Sequence, residues 1–271
     1  MTATTATPPA SQQKPSAAFF DLDGTLIPGS ANIPLAKAAF REGFVTPLEL
    51  LIDLRNGLSF VLKGATDERS EQVRDRILRA VSGHPAEQVE ALGDHFMTDL
   101  VATLQPVMGA ELRTHADAGR DRIVLSASPT EIVSRFAREA GLELGTGTTS
   151  ERDTEGRYTG RLAGPFCYRD GKVDVMRGLA SDRGYDLKES YAYSDSISDL
   201  PMLEAVGHPV AVNPEPELRA LAQTRGWPII ETSSVPRVSM TSVQGLARLL
   251  AGLAARPVKA LQQLLPRPVS A

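Results

Sequence analysis

The stretch Ala17-Ala18-Phe19-Phe20-Asp21-Leu22-Asp23-Gly24-Thr25-Leu26-Ile27, AAFFDLDGTLI, drives an apolar run into two carboxylates one residue apart, then a glycine and a threonine. The run reads as a buried strand that breaks at Gly24. Alternate side chains of a strand share a face, so Asp21 and Asp23 point the same way or converge where the strand breaks. Unit like charges about 4 Å apart repel by about 4 kcal/mol at an effective dielectric near 20. A positive group should therefore sit beside them, or one carboxyl should hold a proton. Taken alone, the motif also allows a plainer reading in which one Asp caps the next helix and the other is solvated. A calcium loop starting at Asp21 fails, because its sixth and twelfth positions are Leu26 and Asn32 rather than Gly and Glu.

Working outward, four short apolar runs end in polar residues: Ala18 to Phe20, Ile123 to Leu125, Tyr191 to Tyr193 and Val210 to Val212. Helical patterns follow them, which is the rhythm of an α/β parallel sheet whose sites form at the carboxyl ends of the strands. Residues 28–121, between the first two runs, are dense in helix formers with amphipathic spacing (Leu48, Leu51, Ile52, Leu54; Val73, Ile77, Leu78, Val81; Val89, Leu92, Phe96, Leu100) and read as a helical insertion. Leu144 to Gly164 is rich in glycine and threonine, with a turn at Thr154-Glu155-Gly156, and reads as a hairpin. Arg177 to Tyr185 reads as the end of a helix, Glu215 to Thr224 as another helix, and Trp227 to Ile230 as a last strand.

The other strand ends carry further chemistry. In YAYSDSISDL, Asp195 and Asp199 lie four apart, one turn if a helix begins there; Asp195 or Ser196 could instead serve only as a cap. The second run ends at Ser126, and Lys172 sits in RDGKVDVMRG. Each alone is an ordinary surface or backbone-bonding residue, but at one sheet edge they supply a hydroxyl and a cation for an anionic phosphoryl group. A hard divalent cation held by oxygens relieves the crowding of carboxylates. Magnesium, which binds through few carboxylates and keeps its waters beside a phosphate, suits that ligand set.

Composition bounds the partners. The 271 residues carry a net charge of −4, which gives no general attraction to nucleic acid. Cys167 is the only cysteine, so no intrachain disulfide forms, which fits a reducing, cytoplasmic setting. The first sixteen residues read as a disordered tail rather than a signal peptide. From Thr232 onward there are five basic residues and no acidic one, leaving 24 basic against 33 acidic before it. Leu246, Leu249, Leu250 and Leu253 follow helical spacing there. This basic amphipathic tail reads either as a helix packed on the body or as a peripheral contact, through residues 237–271, with the inner face of an anionic membrane.

Together these motifs resemble the haloacid dehalogenase superfamily, in its phosphoserine-phosphatase-like branch (subfamily IB). Asp21-Leu22-Asp23-Gly24-Thr25 matches the first motif, Ser126 the second, Lys172 the third, and Asp195 with Asp199 the fourth. The resemblance implies a Rossmann-like parallel core over residues 17–27 and 107–231, a helical cap over 28–106, and a tail over 232–271. It implies a magnesium-dependent phosphatase acting on a small-molecule phosphate monoester. Asp21 would be the nucleophile and Asp23 the general acid and base. Magnesium would be held by Asp21, the Asp23 carbonyl and Asp195, with Asp199 supporting. Thr25, Ser126 and Lys172 would bind phosphate. Dedicated phosphoserine phosphatases carry a glutamate shortly after the first motif, whereas Pro28 to Arg41 has no acidic residue, and Ser30 stands nine after Asp21. Where they read GDGxND, this chain has Ser198 in the asparagine position. Cap arginines (Arg41, Arg55, Arg69, Arg74, Arg76, Arg79) could meet a second acidic group of the substrate. A lysophospholipid or glycerol phosphate is the alternative substrate class, and a non-catalytic phospholigand-binding role the alternative of another kind. Oligomeric state is not legible in the sequence.

Overall fold

The computed structural model describes residues 15–44 and 67–232. The leucine spacing at 48–54, Arg55, the side chain of Arg69, residues 1–14 and the tail beyond Thr232 lie outside that set. Pro15, read as part of the loose N-terminal segment, is already tied to the body, because its carbonyl accepts the Asp186 N–H at 2.9 Å.

Six parallel strands form the sheet: β1 (Ala17–Phe20), β2 (Asp121–Pro129), β3 (Leu144–Thr148), β6 (Tyr191–Ser194), β7 (His208–Val212) and β8 (Ile229–Ile230). Their order is β3-β2-β1-β6-β7-β8, so β1 lies at the centre between β2 and β6. The two-residue period of a strand splits the core across the sheet. Ala18, Phe20, Val124, Tyr193, Val210 and Val212 bury themselves on one face. Ala17, Phe19, Ile123, Leu125, Ala192 and Ala211 do so on the other. Phe19 and Phe20 are fully buried, each contributing about 1.5–3 kcal/mol by leaving water.

The first face packs against α5 (Pro106–Asp117), through Met108 and Leu112, and α6 (Thr130–Glu139), through Ile132, Val133 and Phe136. The second packs against α7 (Asp170–Arg183), α8 (Leu200–Glu204) and α9 (Pro216–Arg225), through Met176, Met202, Leu203 and Leu218. Between β1 and α5 the described helices are α1 (Asn32–Arg41), α2 (Asp67–Val81), α3 (Ala86–Ala91) and α4 (Met97–Ala102), with a 3-10 turn at Leu92–His95. The apolar spacing from Val89 to Leu100 is thus shared among α3, that turn and α4. Within the stretch 28–121 read as an insertion, α5 packs on the sheet itself.

The glycine-rich segment divides between two sheets. Leu144–Thr148 is not part of a hairpin but β3, the edge strand paired in parallel with β2. The antiparallel hairpin is shorter, β4 (Ser150–Arg152) with β5 (Tyr158–Leu162), around a turn that includes Thr154 to Gly156. Gly145 serves close packing here rather than turning, because a Cβ on it would overlap the Val133 carbonyl of α6.

Candidate active site

The carboxyl ends of β1, β2 and β6 place the predicted residues along one edge of the sheet. Asp21 leaves β1 still bonded to its neighbour, its N–H donating to the Tyr193 carbonyl at 2.9 Å. The chain then turns sharply: Gly24, at φ +83°, donates its N–H to the carbonyls of Ile27 (2.9 Å) and Gly29 (3.1 Å). Gln105, just before α5, braces this turn. Its side-chain Nε2 donates to the Thr25 carbonyl at 2.6 Å and its N–H to the Leu26 carbonyl at 2.9 Å.

Lys172 lies in the first turn of α7 and is 2% exposed. A cation there opposes the helix dipole, so some stronger attraction must hold it. Its Nζ donates to Asp21 Oδ1 at 2.6 Å and to Asp199 Oδ2 at 2.7 Å. Ser194 Oγ, at the end of β6, donates to the same Asp199 oxygen at 2.6 Å. Asp199 is thus bonded directly to Lys172 and to the end of β6. The cap of the turn Ile197–Asp199 is Ser196, whose side chain accepts the Ser198 N–H. Glu215 fixes the same loop by accepting the Ile197 N–H at 2.6 Å and the Ser196 hydroxyl at 3.1 Å.

Asp23 is held by three donors. Ser30 Oγ (2.9 Å) and Ser128 Oγ (3.4 Å) reach Oδ2, and the Ala31 N–H at the start of α1 reaches Oδ1 at 2.9 Å. Thr25 is fully buried, and its hydroxyl donates to Asp195 Oδ1 at 3.4 Å. Ser126 is buried in β2, where its Oγ accepts the Ser128 N–H at 3.1 Å, leaving its own proton free to donate. Cys167 is buried against this group, and burial pushes its thiol up to about 12, so it stays neutral.

Burial raises the Asp21 carboxyl well above the ordinary carboxylate range. Lys172 opposes that shift, while Asp199, Asp195 and Asp23 add to it. Burial also raises Asp23, against the Ala31 N–H and Ser30. Burial alone would lower the Lys172 ammonium, but Asp199 and Asp21 outweigh it and the net direction is up, so Lys172 remains charged. Four carboxyl groups thus share a site with one buried ammonium, and the negative charge is incompletely offset. Among the described residues no three His, Cys, Asp or Glu side chains form a metal cage. A cation such as magnesium, which needs only one or two carboxylates plus a carbonyl and waters, fits this donor set and this charge. Sequence reasoning missed Ser128, Ser194, Gln105 and Glu215.

Fold and site together define an α/β enzyme with its polar chemistry at the carboxyl edge of a parallel sheet. The chain belongs to the haloacid dehalogenase-like hydrolases, whose family model matches residues 18–204. A probable phosphatase of Mycobacterium tuberculosis is 36% identical over 250 residues, covering 88% of this chain and 86% of that protein. A phosphoserine phosphatase of the same organism is 36% identical over 218 residues, covering 79% and 70%. Among solved structures, a protein of unknown function from Bordetella pertussis Tohama I superposes with a TM-score of 0.70 at 32% identity, covering 80% of this chain and 99% of that one. No described helix is long and apolar enough to cross a membrane.

Proposed function

We propose that this hydrolase, a phosphatase of its family, cleaves a small organic phosphate monoester through an aspartyl-phosphate on Asp21, with magnesium as cofactor. The observation that carries this reading is Lys172, buried and bonded to both Asp21 and Asp199 beside the cradled carboxyl of Asp23. An oxygen of Asp21 forms a bond to phosphorus as the bond to the leaving alcohol breaks, and Asp23 gives its proton to that alcohol. Asp23 then takes a proton from water, whose oxygen attacks phosphorus. The bond to Asp21 breaks and orthophosphate leaves. Splitting one displacement in two lowers each barrier. Lys172 aligns the attacking oxygen, the Ser126 hydroxyl supplies a donor for the phosphoryl oxygens, and the Thr25 hydroxyl would do so on turning away from Asp195. Asp21, Asp195 and the Asp23 carbonyl would hold magnesium, which supplies positive charge that favours ionised Asp21 and steadies the phosphoryl oxygens.

The similarity to a phosphoserine phosphatase supports a phosphorylated amino acid or related alkyl ester as substrate. The lysophospholipid class rests on residues 237–271, as does a peripheral membrane location. Phosphate release from p-nitrophenyl phosphate, phosphoserine, glycerol phosphate and lysophosphatidic acid, with magnesium or EDTA, tests the reading. Activity should require both magnesium and Asp21. Full turnover by Asp21→Asn in EDTA would sink it.

A further inference from the structure

The two oxygens of Asp23 are not equivalent. Oδ1 faces the Ala31 N–H, a group that can only donate, so a proton on Oδ1 would meet another hydrogen. Oδ2 faces the hydroxyls of Ser30 and Ser128, each of which can reverse and accept. One further bond fixes the Ser30 hydroxyl, and another ties the Ser128 backbone to its neighbour. Ser30 Oγ accepts the Asn32 N–H at 3.3 Å, and the Ser128 N–H donates to Ser126 Oγ at 3.1 Å. Ser128 is therefore bonded both to Asp23, through its hydroxyl, and to a phosphate-binding candidate, through its backbone N–H.

From this geometry we infer that Ser30 and Ser128 are positioning residues that keep the proton of Asp23 on Oδ2 and aim it at the leaving alcohol. The inference rests on the role of Asp23 as general acid and assigns that role to one oxygen held by two hydroxyls. Ser30 comes from the residues just before α1 and Ser128 from β2, so the aim is set jointly by the chain entering α1 and by the sheet. The proton passes from Oδ2 to the ester oxygen as the bond from phosphorus to that oxygen breaks, and Asp23 is left as carboxylate.

A general acid matters most when the leaving group is a poor one. The test is therefore the ratio of kcat/KM for p-nitrophenyl phosphate, whose phenol leaves readily, to that for phenyl phosphate, whose phenol is less acidic. This quantity reports only steps up to departure of the phenol. In full-length protein with magnesium, Ser30→Ala should raise the ratio about tenfold over wild type. Ser128→Ala should raise it less, Ser30→Thr should restore it, and Asp23→Asn should raise it at least as far as Ser30→Ala. A purely structural role would lower both substrates alike, and that result would overturn the inference, whichever serine variant folds well enough to assay. If Asp23→Asn leaves the ratio unchanged, the general-acid reading itself fails. If Asp23→Asn raises the ratio and neither serine variant does, only the positioning role fails.

Discussion

Gly24 and Asp195 are packed so closely that a Cβ on the glycine would overlap Asp195 Oδ2 and lie 2.8 Å from Cγ. The glycine also holds a positive φ that L side chains rarely adopt. Gly24→Ala should push Asp195 aside. We expect turnover to fall about 100-fold, in line with the cost of a displacement near 1 Å at a reacting centre. Far-ultraviolet circular dichroism should remain that of wild type, and steady-state kinetics reads the loss.

Lys172→Met leaves Asp21 and Asp199 buried without their shared cation. Removing one partner of a buried ion pair typically costs about 3–5 kcal/mol, and urea denaturation at pH 7 should show a loss of that size. Adding Asp21→Asn should recover part of it, because an amide there carries no charge. A double variant no more stable than Lys172→Met alone would refute the electrostatic account.

Asp23 has a folded-state pKa raised mainly by burial. Its contribution to stability is thus fully present below the unfolded value and is lost as pH rises through the folded one. Asp23→Asn removes that loss, while Ser30 can reverse its hydroxyl to accept from the new amide. In EDTA at pH 7 the variant should melt at a higher temperature than wild type. The gap should close as pH falls below 3.8, the ordinary aspartate value. Thermal melts across this range provide the measurement.

His115 works in the opposite direction. It is 2% exposed, bonds Tyr193 Oη through Nε2 at 2.8 Å, and has its pKa lowered to about 4, by burial first and by Arg120 second. Between about 6.5 and about 4 the unfolded chain takes up a proton there that the native protein refuses, so stability falls with pH by up to about 1.4 kcal/mol per unit. His115→Phe should flatten this slope, with Tyr193 still bonded to Glu111. Equal slopes for variant and wild type would refute the assignment.

The strand rhythm was legible because apolar runs such as Ala17 to Phe20 are buried on both faces of a parallel sheet and need no alternation. Asp21, Ser126 and Asp195 could be brought to one edge from the sequence because each follows such a run, whereas Lys172 was legible only beside them. β3 was not legible. Its glycines resemble turn formers, and only the approach of α6 shows that Gly145 is there to avoid a side chain. Ser128 and Ser30 were similarly opaque as contacts of Asp23, since a loop or strand serine carries no local mark of what it will face across 105 residues or across a turn. Gln105 reads as a helix flank until the Thr25 carbonyl is seen beside it.

The central place of β1 has a consequence for synthesis. Its partner β6 pairs Phe20 with Tyr193, far along the chain, and Asp195 and Asp199 come later still. A growing polypeptide on the ribosome therefore holds Phe19 and Phe20 with one flank of β1 uncovered until β6 has emerged. Chains released early, such as one ending before Tyr191, would carry the aspartates of the first motif with no completed edge to work on. Such fragments should be sticky and inert, and sensitive to chaperone supply in a way the finished enzyme is not.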